Sequence, residues 1–64
     1  MRLLSATDVA IARAIEAGTL ALLERPSRVG GTAVYIVDEE GLIEVALDRA
    51  EAEARIASIK GRMA

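Results

Sequence analysis

Two patterns of apolar positions divide the chain. From Val9 to Leu23 apolar residues recur mainly at helical spacing, and from Ala33 to Leu47 they fill both parities of an extended strand pattern. The first pattern opens on Ser5-Ala6-Thr7-Asp8, which has the form of a capping box. In such a box the serine accepts from an orphan N–H, the acid three residues on reaches back, and Leu4 staples onto Val9. Ile11, Ala14, Ile15, Gly18 and Leu22 define one helical face, with Arg13, Glu16 and Glu24 gathered on the other side. Leu20 and Leu23 rotate onto that charged side. Either the helix continues with both faces covered, or Thr19 to Glu24 leaves it as a strand; the reading adopted is a helix over about 6–24. Pro26 stops it, because the residue before a proline is pushed out of the helical region.

Residues 26–31, Pro-Ser-Arg-Val-Gly-Gly, read as a loop, and a hairpin is expected over 32–47. Asp38-Glu39-Glu40-Gly41 has the chemistry of a type I turn followed by a left-handed glycine, a three-residue loop with a bulge. Pairing Asp38 with Leu42 sets Val37 against Ile43, Tyr35 against Val45 and Ala33 against Leu47, one wholly apolar surface. The opposite surface carries Val34, Ile36, Leu42 and Ala46, with Glu44 its one charge between the strand ends. Asp48-Arg49-Ala50-Glu51 is a second capping box and starts a helix over 49–60, with Gly61 as its terminator. Ala52, Ile56, Ile59 and Met63 form its apolar seam, and Glu51 and Arg55 are spaced four apart in the favourable order. A competing segmentation runs one helix from Asp38 to Lys60; Gly41 in its first turn and the β-branched Ile43 and Val45 count against it.

The expectation is thus one small α+β domain over 1–64, ordered α-β-β-α, with two helices packed on a two-stranded antiparallel hairpin. A ribbon apolar on both sides needs two covers. With the helices on one surface, the expected interface is Val34, Ile36, Leu42 and Ala46, with the Ile56, Ile59 and Met63 seam second.

Composition narrows the chemistry. There is no Cys, His, Trp or Phe, which removes disulfides, thiol nucleophiles, His-based triads and Cys/His metal sites. Eight basic and ten acidic residues give a net charge of −2, too small for a polyphosphate magnet. The acids concentrate at Asp38, Glu39, Glu40 and Glu44, an acidic contact surface for a basic partner if not simply a solvated hairpin tip. Their spacing matches no calcium-loop signature. Gly30-Gly31 beside Arg25 and Arg28 has the makings of an anion nest, but there is no Walker lysine and no Gly-x-Gly-x-x-Gly, so a flexible connector is the reading kept. No cofactor, metal or catalytic residue is assigned, and Tyr35 is read as core rather than as a stacking platform. No uncharged stretch approaches the ~20 residues of a membrane span, and Met1 to Asp8 does not read as a signal peptide. A cytoplasmic or virion-associated setting is expected.

Two likenesses bear on function. Ile15-Glu16-Ala17-Gly18-Thr19-Leu20, Arg28-Val29-Gly30-Gly31 and Tyr35-Ile36-Val37 resemble the back half of excisionase-type winged-helix proteins, where a recognition helix ends at a glycine and a basic wing precedes a tyrosine-bearing strand. That resemblance implies DNA binding, with Arg25 and Arg28 as the basic contact; it departs at the front, where only one helix fits between Ser5 and Gly18. The order helix, hairpin, helix is similar to that of small head–tail joining proteins of tailed phages, which implies a structural adaptor. The expected function is a non-catalytic assembly or adaptor protein whose partner is itself, another protein, or both. The alternatives are the winged-helix regulator and a small phage-encoded inhibitor of a host protein.

Overall fold

The computed structural model describes residues 5–63. Its elements are α1 (Ala6–Ala17), β1 (Ala21–Pro26), β2 (Thr32–Asp38), β3 (Gly41–Ala46) and α2 (Arg49–Met63). The class is α+β, but the sheet has three antiparallel strands in the order β1-β2-β3 rather than two. The expected hairpin is its β2–β3 half, and the order helix, hairpin, helix gains a strand.

That extra strand comes from the segment expected to prolong the first helix to Glu24. Gly18 ends α1 in the left-handed region, at φ 73°. Its N–H donates to the Ile15 carbonyl at 3.1 Å and that of Thr19 to the Ala14 carbonyl at 3.0 Å, the paired bonds of a Schellman motif. The chain then leaves as β1, which pairs with β2 from Ala21↔Val37 through Pro26↔Thr32. Alternation resolves the two-sided pattern: Leu20 and Leu22 pack toward the helices, while Ala21 and Leu23 turn away. Pro26 lacks an N–H and sits at the end of an edge strand, where that loss is tolerated. In the hairpin beyond it, the Ser27 N–H donates to the Gly31 carbonyl at 3.0 Å, with Gly30 and Gly31 at φ 102° and 71°, a backbone that side-chain-bearing residues rarely adopt.

At the second hairpin Asp38 pairs with Gly41, not with Leu42. Neither Glu39 nor Glu40 has positive φ, which excludes the mirror-image type I′ turn. Asp38 Oδ1 stabilises the turn instead, accepting from the N–H groups of Glu40 (2.8 Å) and Gly41 (3.1 Å). The irregularity lies further along. Ile36 pairs with Glu44 but Val37 with Leu42, leaving Ile43 as the extra residue of a bulge. Val37 therefore faces Leu42 rather than Ile43, while the expected Tyr35↔Val45 pair is present.

Of the first capping box, one half is realised: the Asp8 N–H donates to Ser5 Oγ at 3.1 Å, while the Asp8 carboxylate turns to α2. The Leu4 staple lies outside the described residues. In the second box the Glu51 N–H donates to Asp48 Oδ1 at 2.8 Å. Helix α2 does not stop at Gly61. It continues to Met63, whose side chain packs on the core, and Arg62 reaches Asp8 at 3.4 Å. These contacts offset the roughly 1 kcal/mol that a helical glycine costs.

Both helices lie on one side of the sheet. Ile11 of α1, Val34 and Ile36 of β2, Ala46 of β3, and Ala52 and Ile59 of α2 form the buried cluster, with Ile15, Ile43 and Ile56 packed against it. A two-layer molecule with one uncovered face should be flat and rich in surface, and this one is. Its extents are 38 × 23 × 16 Å and its radius of gyration 12.0 Å, against about 11 Å for a compact chain of this length. Its accessible surface is 4596 Å², against about 4,000 Å² for a compact monomer of this mass. Among the described residues no helix is long and apolar enough to cross a membrane.

Candidate interaction surface

The uncovered sheet face is built by strand alternation. Val34 and Ile36 point to the helices, so Ala33, Tyr35 and Val37 point away. The ladder sets Leu23 and Val45 on either side of Tyr35, and Ala21 and Leu42 on either side of Val37. The bulge makes this possible. With strict alternation Leu42 would share a side with Ala46, and Ile43 with Val45; the extra residue lets Leu42 and Val45 both face outward while Ile43 joins the core. Leu23 is 38% exposed, Val45 49%, Leu42 55% and, just past β3, Leu47 78%. The only charge within this ladder face is Arg25, opposite Ala33 at the edge nearest the β1–β2 hairpin.

These positions nearly reverse the expected interface. Val34, Ile36 and Ala46 are 1%, 1% and 4% exposed beneath the helices, and Ile59 is 1%. Ile56 and Met63 pack against the same cluster. Val34, Ile36, Ala46 and Ile59 are thus interior to the folded chain and Ile56 and Met63 partly buried; of the expected set only Leu42 is fully outside. The inversion has two physical causes. Glu44, the one charge on that surface, points toward α2, where Arg55 meets it at 2.6 Å. The helices also present alanines to the sheet, Ala14 at 3% and Ala52 at 0% exposure. The covered side carries Val34, Ile36, Ile43 and Ala46 against Ile11, Ala52 and Ile59, and the Leu23/Tyr35/Val45 surface is left outside.

Charged residues sort by side. On the helix side they form a clamp. Arg55 Nε and Nη2 both donate to Asp8 Oδ1, at 3.1 and 2.8 Å; Arg55 Nη1 meets Glu44 Oε2, and Arg62 Nη1 meets Asp8 Oδ2. Arg49 reaches Glu24 of β1 at 3.5 Å. One helix thereby holds α1, β1 and β3. Arg55, not Glu51, is answered by this clamp, and Glu44 is engaged in it rather than offered to a partner. The hydrogen bond from Arg55 holds the Asp8 carboxyl below its ordinary value of 3.8, against a smaller opposing effect of burial.

Four further charges stand at the two ends of the strands. Glu39 and Glu40 stand exposed at the β2–β3 turn, with Asp38 occupied in capping it. Arg25 and Arg28 stand exposed at the opposite end, in and beside the β1–β2 hairpin. The basic pair of the winged-helix resemblance is thus at a hairpin tip, but a single helix precedes the sheet among the described residues, and no helix-turn-helix is formed there. The hollows between α1 and the acidic turn are open and shallow, lined by Thr7, Ala10, Gly41 and Ile43 on one side and by Arg13 and Thr19 on the other. The chain matches no family model, no curated protein and no solved structure.

Proposed function

We propose that the protein is a non-catalytic assembly protein that self-associates through the uncovered face of its sheet. One observation carries this reading: an apolar surface continuous across three strands, centred on Tyr35 and flanked by Leu23 and Val45, with the helices already committed to the other side. Monomeric proteins seldom leave such a patch beyond a few hundred Å² in water.

Sedimentation across protein concentrations tests it. The wild type is expected to associate with a Kd of about 1–100 μM, as suits a small apolar interface. Leu23→Lys and Val45→Lys, each at an exposed position, should abolish association while leaving the circular dichroism spectrum unchanged. A strict monomer at high micromolar concentration overturns the reading, as does association that ignores both lysines.

A further inference from the structure

We propose that two copies stack these faces about a two-fold axis that lies in the interface and runs across the strands, so that the acidic end of each covers the basic end of the other. The inference rests on the self-association reading above and adds to it the orientation, the stoichiometry and an electrostatic term.

Its basis is the distribution of charge along the strands. The register puts Ala21 and Val37 beside the β2–β3 turn, which carries Glu39 and Glu40, and Pro26 and Thr32 beside the β1–β2 hairpin, which carries Arg28 and follows Arg25. Acid and base therefore stand at opposite ends of the strands that carry the apolar face. Among the described residues none of these four side chains makes an ion pair within the chain. Arg25 donates only to the neighbouring Glu24 carbonyl, at 3.0 Å.

A face-to-face dimer has its dyad in the plane of contact, which leaves two limiting orientations. An axis along the strands lays Glu39 and Glu40 over their own copies and Arg25 and Arg28 over theirs, like on like at both ends. An axis across the strands reverses the second sheet, so each acidic turn lies over the partner's basic hairpin. The tips are then offset by one strand, about 5 Å, and the sheets stand about 10 Å apart, gaps that extended arginine and glutamate side chains can span together. Opposite charges at the rim fix the orientation of a greasy contact whose apolar centre has little preference of its own. Such a contact is isologous. It uses the whole uncovered face of both copies and closes at two.

Charge exchange on the full-length chain separates this arrangement from its alternatives. Arg25→Glu with Arg28→Glu makes both ends acidic, and Glu39→Lys with Glu40→Lys makes both ends basic. Each pair of substitutions should weaken the dimer about tenfold at low salt, the scale of several rim ion pairs acting together. All four substitutions combined restore acid over base at both ends, and should return the Kd to within about threefold of wild type. Raising salt from about 50 to about 500 mM should weaken the wild-type dimer. A dimer sensitive to Leu23→Lys but indifferent to the charge exchanges, or one that tightens with salt, overturns the crossed orientation and leaves the open-face reading standing. A dimer indifferent to Leu23→Lys overturns both. Sedimentation that continues to species larger than a dimer overturns the closed stoichiometry.

Discussion

Asp8 shows how far a single residue's role can drift from its local sequence context. Its spacing from Ser5 marks a helix start, and its N–H is indeed capped by Ser5 Oγ, but its carboxylate serves tertiary structure. With a side chain only 13% exposed, it accepts from Arg55 twice and from Arg62. The lowered pKa has a definite consequence for stability. A carboxyl whose folded pKa lies below its unfolded value stabilises the fold fully above the unfolded value, and that contribution is lost as pH falls through the folded one. Thermal melts should therefore lose stability as pH falls below about 3.8. Asp8→Asn should lower the melting temperature at neutral pH and flatten this acid limb; an unchanged limb would exclude Asp8 as its source. None of this was legible in the Ser5-to-Asp8 spacing, because both arginine partners lie more than forty residues away. Glu44 misled for the same reason, since its partner Arg55 comes from another element.

At the scale of elements, the glycines decide where helices end, and they do so by conformation rather than by identity. Gly18 is left-handed with no neighbour near the position a Cβ would take, so Gly18→Ala meets backbone strain alone. It should destabilise by about 1–2 kcal/mol in denaturant titrations. Gly61 lies within α2 and is equally uncrowded, so Gly61→Ala should stabilise by up to about 1 kcal/mol. Two opposite signs from one type of substitution form a sharp check. The sequence reading kept Gly18 on a helical face and made Gly61 a terminator, and composition could not separate them. What separates them is the pairing partner waiting for β1 and the core contact waiting for Met63. Both helix starts, the loop before β2 and the Tyr35↔Val45 pairing followed from capping and alternation alone. The bulge did not, since Leu42 through Leu47 reads as apolar on both parities and alternation carries no information there.

For the molecule as a whole, the buried cluster rests on four aliphatic side chains of substantial size, Ile11, Val34, Ile36 and Ile59, completed by alanines. Such a core leaves a 64-residue chain near the threshold of independent stability. If the second copy covers the uncovered face, folding and association are linked, and the melting temperature must rise with protein concentration. Calorimetry at two concentrations tenfold apart should show that rise for the wild type. It should be absent for Leu23→Lys, which melts as a monomer at either concentration. A wild-type melting temperature independent of concentration would uncouple the two processes. The ribbon's two apolar surfaces were readable in the sequence. Which side the helices would take was not, since the ribbon is apolar on both surfaces.

The extra residue at Ile43 has one more effect, this time at the rim of the sheet. β3 is a border strand, and an unbroken border of free N–H and C=O groups invites foreign strands to dock and fibrils to grow. A kink in that border spoils the template by putting successive backbone groups out of step with any straight newcomer. The same irregularity that turns Leu42 and Val45 to the uncovered face thus also breaks the straight edge that an added strand would need.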